Sequence, residues 1–348
     1  MTATQSRIPA DLLPAKAVEV RIDEPAASHA SGPVPCFFGA ARRSGTTWLS
    51  SMLNAHPEIE CRNEGWLFND LNDAEGESAS FPHWFDERKF RTWAARREAQ
   101  GTWLRDTTID AAAAAIRRAM WFSLMQRGVE GQKWKDWSRL RLVGDKTTTH
   151  FCTQVEQIHR IFPDAWFLHM IRDGRDVVVS DAFLLFRELN DRAVPSDVRR
   201  EAEVARDYHV FRRGRPVALI GPAMMRNLVG DWVRSVTGGL RARELFGARY
   251  TEVRYEGMGT DPAGEFYRLL KRFGVRTNPE LVEPIVAAHT FETLSGGRRR
   301  GDEDRGAEFR KGIEGDWRNH FTNEMKRGFK AMAGTLLVEL GYETDLSW

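Results

Sequence analysis

A short cationic turn, set between a strand-like run and a helical one, limits this chain more than any other feature. Val34-Pro35-Cys36-Phe37-Phe38-Gly39 is an apolar run of strand length. Arg42-Arg43-Ser44-Gly45-Thr46-Thr47-Trp48 follows it. Leu49, Met52 and Leu53 then recur at helical spacing until Asn54 and Pro57 end the pattern. A tight turn from a strand into a helix aims backbone N–H groups and the positive end of the helix dipole at one point, which suits a phosphate. Gly45 lets the backbone come close. The Thr46 and Thr47 hydroxyls can donate to phosphate oxygens, and Arg43 adds a planar, permanent cation. A Walker A loop needs G-x-x-x-x-G-K-[ST], whereas here the cation precedes the glycine. A plain connection between strand and helix is the simpler reading of the turn taken alone.

The remaining strand-like runs, 140–144, 165–171 and 249–255, alternate with helical ones near 177–189, 197–212, 222–246, 262–273 and 322–340. That alternation predicts an α/β fold: a single domain with a central parallel sheet flanked by helices and a P-loop-like strand-turn-helix phosphate site. The 348 residues suffice for it. Residues 1–32, rich in Ala, Pro and Ser, are expected to be disordered, leaving 33–348 as the domain. Residues 66–140 hold seven of the 12 tryptophans, from Trp66 to Trp137, with a helix expected at 111–126. They read as a helical insertion that packs a layer over the sheet, or in part as the wall of an acceptor pocket. The Gly- and charge-rich run 294–308 reads as a solvated loop that can act as a mobile lid.

Net charge is +2, which gives no argument for a nucleic-acid partner. Cys36, Cys61 and Cys152 are far apart, with no C-x-x-C, which speaks against a disulfide framework or a zinc site. No apolar run reaches the roughly 18–20 residues that cross a bilayer, and the N-terminus has no apolar signal core. A soluble cytoplasmic protein with no metal site is expected.

Two further basic segments follow. Ala165-Trp166-Phe167-Leu168-His169-Met170-Ile171 leads into Arg172-Asp173-Gly174-Arg175-Asp176 and then a helix carrying Ser180. In an open parallel sheet both turns lie at strand carboxyl ends, where ligands bind. Two such turns suit a ligand with two phosphate groups, although an Arg–Asp network could merely cap the helix. The third segment, Phe309-Arg310-Lys311-Gly312-Ile313-Glu314-Gly315-Asp316-Trp317, sets paired cations beside a glycine.

Together the three segments resemble the sulfotransferases that use 3′-phosphoadenosine 5′-phosphosulfate (PAPS), in their bacterial and glycan-type branch. Arg43–Trp48 matches the family's K/R-S-G-T-T-W loop. Arg172 and Ser180 match its Arg and Ser eight residues apart, and Arg310 to Trp317 matches its R-K-G-x-x-G-D-W. The resemblance runs from about Val34 to Thr322. It implies PAPS as co-substrate and adenosine 3′,5′-bisphosphate (PAP) as product, with no metal required. Arg42 and Arg43 flank the loop, and Ser44, Gly45, Thr46 and Thr47 would cradle the 5′-phosphosulfate. Arg172, Ser180, Arg310, Lys311 and Gly312 would hold the 3′-phosphate. Trp48 and Phe291 would pack on adenine, and Tyr255 resembles the tyrosine of a Y-E-D-M stretch.

The resemblance also implies in-line transfer of a sulfuryl group, catalysed by positioning and by cations at the leaving oxygens. Arg43 and Lys146 are the candidates for that charge. Two residues compete as the base. His56-Pro57 to Glu64 and beyond is similar to the H-P…E-x-x-F-F stretch of glycan-type members, which gives Glu64 the role. Asp145-Lys146-Thr147-Thr148-Thr149-His150 is similar to their E-K-[TS]-x-x-Y stretch. Yet His150 stands 22 residues before Arg172, much as the catalytic His of cytosolic members does. Glu64 is favoured because its flanks match over more residues. The bland readings are a salt-bridged carboxylate and a structural histidine. The acceptor could be a small molecule, a lipid or a saccharide, presenting a hydroxyl or an amine, and the oligomeric state is open. The rival readings are an ATP/Mg-dependent phosphotransferase and a non-catalytic nucleotide-binding module.

Overall fold

The computed structural model describes residues 33–64, 135 and 137–348. Five strands run parallel in the order β2-β3-β1-β4-β5: β1 Val34–Ala40, β2 Ile59–Asn63, β3 Leu142–Lys146, β4 Trp166–Ile171 and β5 Tyr250–Arg254. The expected α/β architecture with a central parallel sheet is therefore present. All five carboxyl ends lie on one edge, and the helices after β1 and β4 start from it.

Side chains alternate between the two faces of the sheet, as the pleat requires. Cys36, Phe38 and Ala40 of β1, with Leu168 and Met170 of β4, pack on one face. They meet α1 (Thr46–Ala55), and Phe266 and Leu269 pack there too. Phe37 and Phe167 point the other way, toward α2 (Thr148–Thr153) and α3 (Val155–Ile161). A third apolar cluster surrounds α4 (Gly174–Glu188), which is buried from Gly174 to Phe186. It packs among α5 (Ser196–His209), α6 (Pro222–Phe246) and a later helix, Asn323–Glu339.

Helix boundaries follow local chemistry. Pro222 opens α6, and Glu201 of α5 caps it by accepting from the N–H groups of Ala223 (3.1 Å) and Met224 (2.9 Å). After β5 come α7 (Tyr255–Thr260) and α8 (Pro262–Phe273). Asp261 caps α8 by accepting from Gly264 N–H at 2.8 Å. Then come α9 (Pro279–Ala288), α10 (Phe291–Leu294) and α11 (Asn323–Glu339), capped by Thr322.

Two readings shift. The strand expected at 140–144 is β3 at Leu142–Lys146, two residues later, so Asp145 and Lys146 belong to it. Ile59–Asn63 was read only as motif flank, yet it is the edge strand β2. Its polar Glu60, Arg62 and Asn63 are normal on an edge, and they hid the apolar alternation of Ile59 and Cys61. Residues 1–32, the insertion through residue 134 and the helix at 111–126 lie outside the described residues. Pro33–Trp348 is one compact unit. Cys36, Cys61 and Cys152 are free and buried, and burial pushes the Cys61 thiol up to about 12. No helix among the described residues is long and apolar enough to cross a membrane.

Candidate functional site

The turn after β1 is held in an unusual shape. Arg43 has φ 64° and Gly45 has φ 91°, so the chain reverses sharply before α1 begins. An Arg in this region costs about 1 kcal/mol, and such strain concentrates at functional sites. Gly45 is required for space as well as for φ: a Cβ there would lie 2.6 Å from the Tyr255 ring. The first-turn N–H groups of α1 consequently face an open cleft of about 780 Å³.

That cleft gathers residues from all three cationic segments. Arg43, Gly45, Thr46, Thr47 and Trp48 come from the first turn, Arg172 and Ser180 from the second, and Arg310, Lys311 and Gly312 from the third. Tyr255 and Phe291 line it too. Trp48 is fixed by its Nε1–H donating to the His289 carbonyl at 2.7 Å, and it meets Tyr255 edge-on, with ring centroids 6.2 Å apart. Phe291 covers Gly312, where a Cβ would come within 2.3 Å of its ring and φ is 68°. Three aromatic rings therefore stand beside the cations, a slot suited to a flat base.

Arg172 knits the site together. Its guanidinium stacks on Tyr255 at 4.0 Å. It donates to the Arg43 carbonyl at 3.0 Å and to the Ile313 carbonyl at 3.2 Å. The other arginine of its motif behaves differently. Arg175 pairs with Asp173 at 2.7 Å and lies over the rings of Trp317 (4.0 Å) and Trp348 (4.4 Å). Asp173 also caps α4 by accepting from Arg175 N–H at 2.9 Å. The two readings of the motif are thus divided between its residues: Arg172 enters the cleft, and Arg175 braces the helix. Asp176 ties α4 to the third segment by accepting from Gly315 N–H (2.7 Å) and Trp317 N–H (2.9 Å). Burial raises the Asp176 carboxyl, against the pull of Arg172 and these two donors.

The cations carry internal carboxylate partners. Lys311 reaches Asp316 at 2.7 Å, and Arg310 bonds both Asp316 and Glu303. Burial opposes ionisation of Asp316, but hydrogen bonds from His320, Lys311, Arg310 and Asn319 hold it well below the usual carboxylate range. Glu303, Asp316 and His320 place ligand atoms within 4.8 Å of one another. The guanidinium and ammonium groups already on these carboxylates make the cluster a brace for cations. Arg43 donates to Ser180 Oγ at 3.2 Å and pairs with Glu308 at 2.5 Å. Arg42 turns away from the cleft toward Glu188 (3.1 Å) and Asp181 (3.7 Å) of α4. Ser44 is fully buried behind the turn.

The other candidates sit on the same sheet edge, at β3 next to β1 and at β2 beyond it. Glu64 follows β2 with φ 52°. Its N–H donates to the Lys146 carbonyl at 2.8 Å, and its carboxylate accepts from Lys146 Nζ at 2.7 Å. Lys146, the last residue of β3, is buried, whereas the Glu64 side chain is 36% exposed. His150 is half-buried in α2. The structure thus joins Glu64 to Lys146, and neither they nor His150 line the cleft. His56 is buried, with Nε2 2.9 Å from the Arg276 carbonyl.

Sequence reasoning passed over Asp316, Asp176, Arg187, Arg300 and Glu308. Only the first two carried a signal, as acids inside basic motifs. The partnership of Glu308 with Arg43 spans 265 residues and leaves no local pattern.

The sequence model described as "Sulfotransferase family" matches residues 35–279. Nodulation protein NoeE of Sinorhizobium fredii is 23% identical over 316 residues, 90% of this chain and 67% of that protein. Human Sulfotransferase 2B1 is 26% identical over 187 residues, 49% of this chain and 45% of that protein. Flavonol 3-sulfotransferase of Flaveria bidentis is 29% identical over 173 residues, 45% of this chain and 50% of that protein. The match thus spans about half the length of the latter two. Among solved structures, mouse sulfotransferase SULT7A1 complexed with PAP is similar with a TM-score of 0.49 at 15% identity, covering 89% of this chain and 86% of that one. The family match takes in more than two thirds of the sequence, including the first two cationic turns and both candidate bases, and the chain belongs to the sulfotransferase family.

Proposed function

We propose that the protein transfers a sulfuryl group from PAPS to a hydroxyl or amine of a small-molecule, lipid or saccharide acceptor. One observation carries this reading: a single cleft joins three cationic segments to a slot of three aromatic rings. The donor set also fits a bisphosphorylated nucleotide. Ser44 Oγ, Arg172 Nε and Arg310 Nε are buried without a partner, as expected of donors reserved for an anion.

The first-turn N–H groups of α1 with Thr46 and Thr47 would hold the 5′-phosphosulfate. Arg172, Ser180, Arg310 and Lys311 would hold the 3′-phosphate, with Gly312 giving close backbone approach. Trp48, Tyr255 and Phe291 would border the adenine. PAPS supplies the activated sulfuryl group, and transfer to an acceptor oxygen needs positioning, cations at the leaving oxygen and a base. Arg43 and Lys146 would supply that charge. Glu64 is the favoured base. Its carboxylate is partly exposed, at a strand end, and oriented by Lys146. His150 is the alternative.

The test is a thermal-shift titration with PAP and with AMP, both free of metal, and separately with Mg·ATP. PAP at 100 times its Kd is expected to add about 2.7 kcal/mol of stability. A response to Mg·ATP alone would replace this reading with a phosphotransferase. Tight PAP binding without turnover of any acceptor would replace it with a non-catalytic binding module.

A further inference from the structure

Arg43, Arg187, Arg305 and Arg310 converge on a small side cleft beside the main one, together with Ser180 and Phe183. Four guanidinium groups this close repel one another unless anions intervene. Besides Asp316, which holds Arg310, two carboxylates stand among them. Glu303 takes Arg305 at 2.9 Å and also Arg310, and its side chain is 21% exposed. Glu308 takes Arg43 at 2.5 Å and Arg187 at 2.9 Å, yet its side chain is 47% exposed. The Glu308 carbonyl also accepts from Arg43, at 2.6 Å.

Arg43 in turn donates to Ser180 Oγ. Arg187 stands seven residues after Ser180 on α4, so both face one side of that helix. The Glu308 carboxylate therefore lies one guanidinium away from Ser180. Its two oxygens each take one guanidinium, Oε1 from Arg43 and Oε2 from Arg187, a bridge that two phosphate oxygens could also make.

We propose that Glu308 is an internal counter-anion that exchanges with the nucleotide's 3′-phosphate. The inference rests on the function proposed above. With the cleft empty, the carboxylate neutralises Arg43 and Arg187. When a 3′-phosphate enters beside Ser180, its charge lies next to the Arg43 guanidinium that Glu308 also holds, and repulsion between the two anions swings Glu308 out to solvent. Its half-exposed side chain lets it leave without burying a charge. On release the carboxylate returns. Affinity is lowered by the fraction of molecules in which Glu308 is seated. A nucleotide with only a 5′-phosphate brings no charge beside Ser180 and displaces Glu308 less.

The test is calorimetric titration of wild type, Glu308→Gln and Glu308→Asp with PAP and with AMP. Gln keeps the shape and removes the charge; it is expected to tighten PAP roughly tenfold. AMP is expected to change by less than about twofold, because its phosphate does not meet Glu308. Asp keeps the charge but reaches less far, so it falls between wild type and Gln. Unchanged or weaker PAP binding in Glu308→Gln overturns the proposal. So does equal tightening of both nucleotides, which would reflect only the loss of one negative charge near the cleft. Wild type that binds neither nucleotide overturns this inference and the proposed function together. Wild type that binds PAP with a flat variant series overturns this inference alone.

Discussion

The two halves of the sheet's carboxyl edge are built on different plans. Around the cleft beside β1 and β4 three arginines are tied more than once: Arg172 to two carbonyls and a ring, Arg310 to two carboxylates, Arg43 to Ser180 and Glu308. At β2 and β3 a single buried ammonium, Lys146, meets a single half-exposed carboxylate, Glu64. The difference fits two tasks. Anion binding gains from many preorganised donors, each replaceable by its neighbours. Proton transfer needs one group that water and substrate can reach. On the proposed function, density of contacts marks where this protein would bind, and sparseness marks where it would react.

The sharpest way to break that comparison is Glu64→Gln. The variant keeps an acceptor for Lys146 and removes the proposed base. Turnover is expected to fall by about 10²–10⁴-fold, while the PAP titration stays within experimental error of wild type. Steady-state kinetics beside calorimetry reads both numbers. If Glu64→Gln turns over normally and His150→Ala does not, the base lies on α2. If PAP binding collapses in Glu64→Gln, the two halves are one coupled site and the division is wrong.

The same division explains what could be read from the sequence. The nucleotide side is written in short local motifs, because a phosphate turn is a strand end, a glycine and a helix start within a few residues. Arg43 to Trp48 and Arg172 to Ser180 were legible for that reason, and so was the order of strands and helices around them. The strand β2 was hidden because an edge strand tolerates Glu60 and Arg62 and so blurs its alternation. Partnerships such as Arg43 with Glu308, or Asp176 with Gly315 and Trp317, join residues more than 130 positions apart. Nothing in local spacing encodes them. The turn of Arg42 away from the cleft has the same origin, since it depends on Glu188 and Asp181 of a distant helix.

A second, smaller effect concerns the floor under the nucleotide side. His169 of β4 is fully buried, with Nδ1 2.8 Å from the Tyr250 hydroxyl; Glu252, Arg243 and Arg254 are the charges around it. Burial lowers its pKa from 6.5 to about 4. The folded state therefore keeps this imidazole neutral where the unfolded chain binds a proton. Its contribution to stability is complete above pH 6.5 and is lost as pH falls toward 4, by about 3 kcal/mol. Urea unfolding of wild type and His169→Gln at pH 7.5 and 4.5 checks this, the variant losing less on acidification. An equal loss in both proteins removes His169 from the account. The arginines above it stay charged throughout, so acid should empty the nucleotide side by unfolding it and not by discharging it.

The smallest expected effect is also the one that probes the logic of over-tying most directly. Asp316 is 2% exposed and holds Lys311 (2.7 Å), Asn319 (2.9 Å) and Arg310. In Asp316→Asn two consequences compete. Losing the negative charge makes the cleft more positive, which favours an anion. Replacing one of the two acceptor oxygens by an amide NH2 turns a donor toward Lys311 or Arg310 and loosens that cation, although Arg310 retains Glu303. Because flexible cations must be ordered again on binding, we expect the second to win, with PAP weakened roughly tenfold and AMP little changed. The wild-type carboxyl titrates far below its ordinary value of 3.8. Its contribution is present above that value and is lost only as pH falls through the depressed one. Wild-type PAP affinity should therefore show no Asp316 transition between pH 5 and 8. If Asp316→Asn tightens PAP instead, Asp316 acts as a second competing anion like Glu308, and positioning by carboxylates would be the wrong description of this half of the molecule.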